Sequence, residues 1–364
     1  MKRTTDLPDD PALPGLVAIC TAGLAAAMPE LGLGDGPIDL MLCGYTPGSR
    51  ATLEVRTEDR RFAVKAYADD PASEVVLYQA FAAAALAGTS GGGVPRLLAW
   101  EPDLRLLAIS WLEGTPANRL IKAGQGQRAG ELAARWLWRV ASLPIKLGPP
   151  LGPGDLLYQV GKSVAELSAA DHGLGVAAKA VAVALKRAQP KNGYPRLVHG
   201  TLYARHILDL GDGPGVIDWQ RFGQGPIEID AGMFLATLSR LGLRHDGHAS
   251  EAGRAEAAFL AETRGLVDER TLAWYRAAAL VHLASRLLKR QPPPEALALL
   301  DEAARLAERA GVEAPATPLA RPAPAIRRSA LELVLAALSS TPATPEELDQ
   351  IRKLLDERKE RPAG

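Results

Sequence analysis

Lys65 lies in the run Phe62–Tyr67, where Phe62, Val64 and Ala66 alternate with Ala63, Lys65 and Tyr67. An ammonium on a half-buried strand is costly unless an anion pairs with it. Glu74, nine residues later and near the start of a predicted helix, can supply that anion. Upstream, Gly44–Val55 (GYTPGSRATLEV) is a Gly-bearing turn running into a strand. Backbone amides in such a turn can approach phosphate oxygens closely. Far downstream, His199–Asp218 (HGTLYARHILDLGDGPGVID) packs polar residues between short apolar runs and ends on a carboxylate. A Gly-bearing turn, a strand lysine with a nearby acid, and this polar stretch thus occur in order along the chain.

The elements that must position these groups follow from periodicity. Ala51, Leu53 and Val55 alternate with Thr52, Glu54 and Arg56. With Phe62–Tyr67 across TEDR they predict an antiparallel hairpin. A helix is expected over 73–86, and strands over 96–100 and 104–111. Residues 13–31 read as a short leading helix ended by the Gly-rich GLGDGP. From Glu131 the pattern is mostly helical: 131–143, 155–168, 176–187, 229–243, 250–262, 269–289 and 294–310. Residues 196–218 interrupt it. On helix 131–143, Trp136 and Trp138 are read as packing residues.

The order of features resembles the aminoglycoside phosphotransferase and choline kinase family, relatives of the protein kinases. The resemblance spans about residues 38–310. It is most specific in LVHGTLYARHIL…GVIDWQRFGQGPIEIDAG, where His199, Gly200, Asp218, Trp219, Gly225, Pro226 and Asp230 match the family pattern. It implies an α+β bilobal protein-kinase-like fold, with a small β-rich N-lobe, a larger helical C-lobe and a C-terminal helical extension. Implied boundaries are an N-terminal helical segment at 1–37, the N-lobe at 38–113 and the C-lobe at 114–312. A Pro-rich linker at 313–325 and a helical hairpin at 326–364 follow, the hairpin being a candidate protein-docking element.

Site roles also follow from the resemblance. ATP and Mg²⁺ are the implied cofactors. Lys65 would bind the α/β-phosphates, held by Glu74. Trp111, Leu112 and Glu113 would form the adenine-binding hinge, and Asp218 would hold Mg²⁺. His199 and Asp230 would be structural, with Asp230 bracing the loop. Two positions depart from the pattern. Where the family has the Asp that orients or deprotonates the acceptor, this chain has Thr201, whose alcohol is no base at neutral pH. General base catalysis is worth about 10²–10⁴-fold. Where the family has an Asn that binds a second Mg²⁺, this chain has His206, and imidazole favours softer metals. Two functions stay open: an ATP-dependent phosphotransferase acting weakly or atypically on a small hydroxyl or amine substrate, and a pseudokinase that binds nucleotide as a regulatory or interaction module.

Other classes are set aside. Lys plus Arg and Asp plus Glu both number 42, which removes the electrostatic reason to expect a nucleic-acid partner. No long uncharged apolar stretch suggests a membrane span, and the N-terminus does not read as a signal peptide. The two cysteines, Cys20 and Cys43, make no disulfide framework. They fit a cytoplasmic protein and are expected to be buried. GTSGG at 88–92 imitates a nucleophile elbow but follows a predicted helix. Gly161-Lys162-Ser163 lacks the first P-loop glycine, since position 156 is Leu156. GLGDG lacks the dinucleotide-binding spacing, and the six histidines show no metal-ligand spacing. Acids that would suit a polycationic acceptor (Asp155, Glu166, Asp171, Glu228) are scattered.

Overall fold

Alternation along β3 (Arg50–Arg56) and β4 (Arg61–Tyr67) decides how the first part of the chain is layered. Leu53 and Val55 of one strand, with Phe62 and Val64 of the other, are fully buried on one sheet face. Helices α1 (Pro14–Ala22) and α2 (Leu24–Ala27) cover that face through Leu16, Ile19 and Leu24. Ala63, Lys65 and Tyr67 point the other way, where α3 (Ala72–Ala83) packs with Val75, Tyr78 and Phe81. The antiparallel sheet is completed by β1 (Lys2–Arg3), β2 (Asp39–Thr46), β5 (Leu97–Glu101) and β6 (Leu106–Ser110). Strand order is β1-β2-β3-β4-β6-β5. In the register, Lys65 sits between Thr52 and Leu107.

The computed structural model describes residues 2–3, 7–34, 36–87, 93–244, 246–288 and 293–311. The GTSGG segment, the Pro-rich linker and the C-terminal hairpin lie outside the described residues.

The larger, helical lobe begins with the short strand β7 (Thr115–Pro116). Helices α4 (Ala117–Lys122), α5 (Gly126–Ala141), α6 (Pro153–Ala170) and α7 (His172–Arg187) follow. Four short strands come next: β8 (Arg196–Val198), β9 (Ile207–Asp209), β10 (Pro214–Val216) and β11 (Gly223–Gly225). Helices α8 (Glu228–Arg244), α9 (Asp246–Glu262), α10 (Glu269–Leu287) and α11 (Pro293–Gly311) close the lobe. Buried α10 packs against α6, α8 and α11. Among the described residues, no helix is long and apolar enough to cross a membrane.

Several expectations are corrected. The leading helix is broken at Gly23 (φ 85°) into α1 and α2. Gly44 lies inside β2, and the turn before β3 is Thr46–Ser49, closed by Ser49 N–H donating to Thr46 O at 3.1 Å. Pro47 and Gly48 (φ +64°) occupy its centre, the residues a type II turn requires. Cys20 and Cys43 are exposed, because each lies on the outer side of its element. Trp136 is fully buried, whereas Trp138 is half exposed and donates its indole N–H to Glu262 O. Asp155, Asp171 and Glu228 are engaged by backbone amides of Gly152, Leu174 and Asp268, since each stands at a helix start or beside one.

Candidate functional site

Three short ladders of the helical lobe hold the polar loop. Strand β8 delivers His199, Gly200 and Thr201; His206 directly precedes β9; Asp218 follows β10. Gly200 adopts φ +77°, and a Cβ there would lie 2.2 Å from Arg221 O, so only glycine fits. Asp218 has φ +73°, an uncommon strain for a non-glycine residue and one that clusters at functional sites. The fully buried Trp219 anchors it by donating Nε1–H to Val216 O at 3.1 Å.

Lys65 and Glu74 meet at 2.6 Å, both nearly inaccessible. Glu74 also accepts the hydroxyls of Tyr67 (2.6 Å) and Tyr78 (3.3 Å). Its remaining capacity is thereby filled, which is what a buried carboxylate needs. Asp218 Oδ1 stands 3.7 Å from Lys65 Nζ, so the cation of the sheet and the carboxylate of the helical lobe share one place. Burial works to raise the Asp218 pKa, but Lys65, His206, His199 and Arg50 outweigh it and hold the carboxyl well below its usual range.

The two histidines differ in tautomer. His199 Nε2 lies 2.9 Å from Ile217 O; a carbonyl only accepts, so Nε2 carries the proton. Its Nδ1 lone pair then faces Thr201, whose N–H and Oγ1 are 3.4 and 3.5 Å away. His206 Nδ1 donates to Thr201 O at 3.0 Å, which in the neutral ring leaves Nε2 unprotonated. Burial, with His199 and Arg205, holds His206 well below the usual imidazole range against the pull of Asp218. Its Nε2 faces Asp218 Oδ2 at 3.4 Å. A carboxylate oxygen and an imidazole nitrogen thus converge as cation donors. Mg²⁺ commonly takes one or two carboxylates with phosphate oxygens and water. Asp218 fits that pattern; His206 fits a borderline metal better. Among the described residues, no group of three or more His, Cys, Asp or Glu could hold a metal alone.

At the other end of the sheet, residues 111–113 follow β6. Leu112 is buried, and the exposed Glu113 carboxylate accepts both bonds from Arg61 Nη1, at 2.6 and 2.9 Å. The Arg61 guanidinium lies 4.2 Å over the Trp111 ring and donates Nε–H to Glu54 at 2.8 Å. The sequence reading missed Arg61, although it falls on the Lys65 face of the same alternating strand. Asp10 was missed as well. It accepts Gly48 N–H (2.8 Å) and the Tyr45 hydroxyl (3.0 Å) across 38 and 35 residues, a separation that carries no local signal.

A family model described as the phosphotransferase enzyme family matches residues 47–275. No curated protein matches the chain. Among solved structures, a thermostable mutant of aminoglycoside phosphotransferase APH(4)-Ia, in ternary complex with AMP-PNP and hygromycin B, matches with a TM-score of 0.56. Identity is 14%, covering 79% of this chain and 98% of that one. A complex of a mutant of the same enzyme with ADP and hygromycin B gives 0.54 at 14% identity, covering 74% and 94%. Choline kinase LicA from Streptococcus pneumoniae gives 0.53 at 12% identity, covering 74% and 92%. At such identities the likeness is one of fold.

Proposed function

The chain belongs to the phosphotransferase enzyme family, and from that premise we propose that it binds ATP with Mg²⁺ and transfers a phosphoryl group slowly to a small hydroxyl or amine acceptor. The observation that carries this reading is the 3.7 Å approach of Lys65 to Asp218. Phosphoryl transfer depends on positioning and charge neutralisation more than on covalent help. Lys65, fixed by Glu74, would hold the α/β-phosphates. Asp218, with His206 beside it, would hold the metal, whose chemistry is to neutralise charge on the phosphate oxygens. Residues 111–113 would form the hinge against the base. Asp230 and His199 would keep the loop in place.

Transfer forms a bond from the acceptor oxygen or nitrogen to the γ-phosphorus and breaks the bond to the ADP oxygen. The acceptor proton must leave. Thr201 Oγ1 can take it while passing its own proton to His199 Nδ1, or water can carry it. The Thr201–His199 contact is long, and burial lowers the basicity of His199. Both features make for slow turnover.

One observation favours the second reading, a nucleotide-binding pseudokinase: the loop offers an alcohol at position 201 where a base is needed. Thermal shift with ATP and Mg²⁺, followed by ATP consumption across alcohols and amines, separates the two. Absence of any shift would remove the nucleotide site. A shift with no turnover selects the pseudokinase. Turnover abolished by Asp218→Ala selects the phosphotransferase.

A further inference from the structure

Lys65 lies between two carboxylates. Glu74 Oε1 on α3 is 2.6 Å from its Nζ, and Asp218 Oδ1 on the loop of the helical lobe is 3.7 Å away. Two hydroxyls act on the nearer carboxylate. Tyr67 donates to Glu74 Oε2 at 2.6 Å, and Tyr78 donates to Oε1 at 3.3 Å. Local spacing puts both there. Tyr67 stands two residues after Lys65, on the same face of β4, and Tyr78 stands one helical turn after Glu74 on α3. Strand and helix thus each supply one member of the ion pair and one hydroxyl. All four residues are buried. The Lys65 ammonium also lies 6.0 Å from the centroid of the Tyr67 ring.

The two oxygens of Glu74 are loaded differently. Oε2 is taken by Tyr67, and Oε1 is shared between Lys65 and Tyr78. A carboxylate held in this way cannot turn from Lys65 without giving up a short hydrogen bond in a buried place, where an unmade bond is costly. Burial, with Glu74 beside them, raises both tyrosine pKa values well above the ordinary phenol range, so the hydroxyls remain donors. Without the Tyr67 hydroxyl, Oε2 would be bare, the carboxylate would be free to rotate, and Asp218 would compete for the ammonium. A lysine drawn onto Asp218 neutralises the carboxylate that a cation needs.

We infer that Tyr67 and Tyr78 are positioning residues for the phosphate lysine: their hydroxyls fix the Glu74 carboxylate so that Lys65 stays on Glu74 and Asp218 is left free for the cation. The inference rests on the phosphotransferase reading for what Lys65 and Asp218 bind, but the allocation of Lys65 between the two carboxylates is measurable without nucleotide. Tyr67, with the shorter contact and sole hold on Oε2, carries the larger share.

Tyr67→Phe keeps the ring and removes only the hydroxyl. ATP with Mg²⁺ and adenosine are each titrated calorimetrically into the full chain. ATP affinity should fall by about tenfold, the size of one hydrogen bond to a charged group. Adenosine, which has no phosphate for Lys65, should be held as before. Tyr78→Phe should lose less. Without nucleotide, urea unfolding of Tyr67→Phe, Asp218→Asn and the double variant should show a joint loss larger than the sum of the two, because Lys65 leans on Asp218 once the Tyr67 hydroxyl is gone. Should Tyr67→Phe not fold, Tyr78→Phe carries the same titrations and the same cycle. ATP affinity unchanged by the substitution, ATP and adenosine weakened alike, or an additive cycle overturns the inference. Failure of the unaltered protein to bind ATP would sink the nucleotide reading, and the unfolding cycle alone would then decide the allocation of Lys65.

Discussion

Asp230 Oδ2 accepts the backbone N–H of His199 at 2.6 Å, and Oδ1 accepts that of Gly200 at 2.9 Å, across some thirty residues of chain. One carboxylate at the start of α8 thereby fixes the two peptides that aim Thr201. Asp230→Ala would leave two buried donors unpaired, at about 1–3 kcal/mol each. Asp230→Asn keeps one acceptor oxygen and should cost less. Urea unfolding of both variants checks the order. Alanine and asparagine variants equally stable, within error of the unaltered protein, would show that the loop is held by something else.

Lys65 and Glu74 form a buried pair whose partners are not equivalent. Glu74 has two tyrosine hydroxyls to satisfy it when Lys65 is gone, whereas Lys65 would keep Asp218, 3.7 Å away, when Glu74 is gone. Breaking a buried pair costs about 3–5 kcal/mol when a bare charge is left behind. Lys65→Met and Glu74→Gln should both destabilise, with a joint loss smaller than the sum of the two. A double-mutant cycle in thermal or urea unfolding measures that coupling. Lys65→Met should also abolish the thermal shift with ATP, and retention of the full shift would contradict the phosphate role.

Much of this arrangement is legible in the sequence. The alternation that puts Lys65 on the face opposite Val64 is explicit, as is the nine-residue step to Glu74. The motif around His199 and Asp218 places the loop, and its two departures are visible without coordinates. What is not legible depends on long-range packing. Helix α5 starts at Gly126, five residues before the expected Glu131, because Gly126 and Gly130 lie flush against α9. A Cβ at Gly130 would sit 2.2 Å from Ala255 O. Glycines that let two backbones touch look like helix breakers to any local reading. The half-exposed β2 has no alternation to read and exists through its pairing with β3.

The pH dependence of stability should carry an acid limb from His282. Burial, reinforced by Arg286, lowers its pKa from 6.5 to about 4. A base depressed in the folded state contributes stability that is fully present above 6.5 and lost as pH falls toward 4. His199 and His206 shift in the same direction. Asp230 acts oppositely: burial raises it from 3.8 to about 7, so its contribution is full below 3.8 and lost as pH rises through 7. The two trends overlap, and a difference measurement isolates one. Between pH 6.5 and 4, His282→Gln should lose less stability than the unaltered protein, by about 1–3 kcal/mol. Urea midpoints at several pH values give the comparison, and parallel curves would mean that His282 already titrates normally in the fold.

Thr201 is the position where chemistry and sequence disagree most sharply, so the decisive substitution is made there. Its hydroxyl can hand a proton only to His199 Nδ1, 3.5 Å away, or to water. A carboxylate at 201 would stand where the acceptor proton leaves and would be ionised at neutral pH. Restoring a general base is worth about 10²–10⁴-fold in rate. Thr201→Asp should therefore raise kcat by that order with little change in KM for ATP, because nothing at the Lys65 end is altered. His206→Asn should act differently, moving metal preference toward Mg²⁺ and away from Mn²⁺ in direct titrations. Steady-state ATP consumption and calorimetry on the two single variants and the double variant separate these effects. A gain that appears only in the double variant would place the lesion in the metal site as much as in the base. No turnover in the unaltered protein or in any of the three, with ATP still bound, would select the pseudokinase; turnover in the unaltered protein without a gain in any variant would show that Thr201 is not what limits the rate.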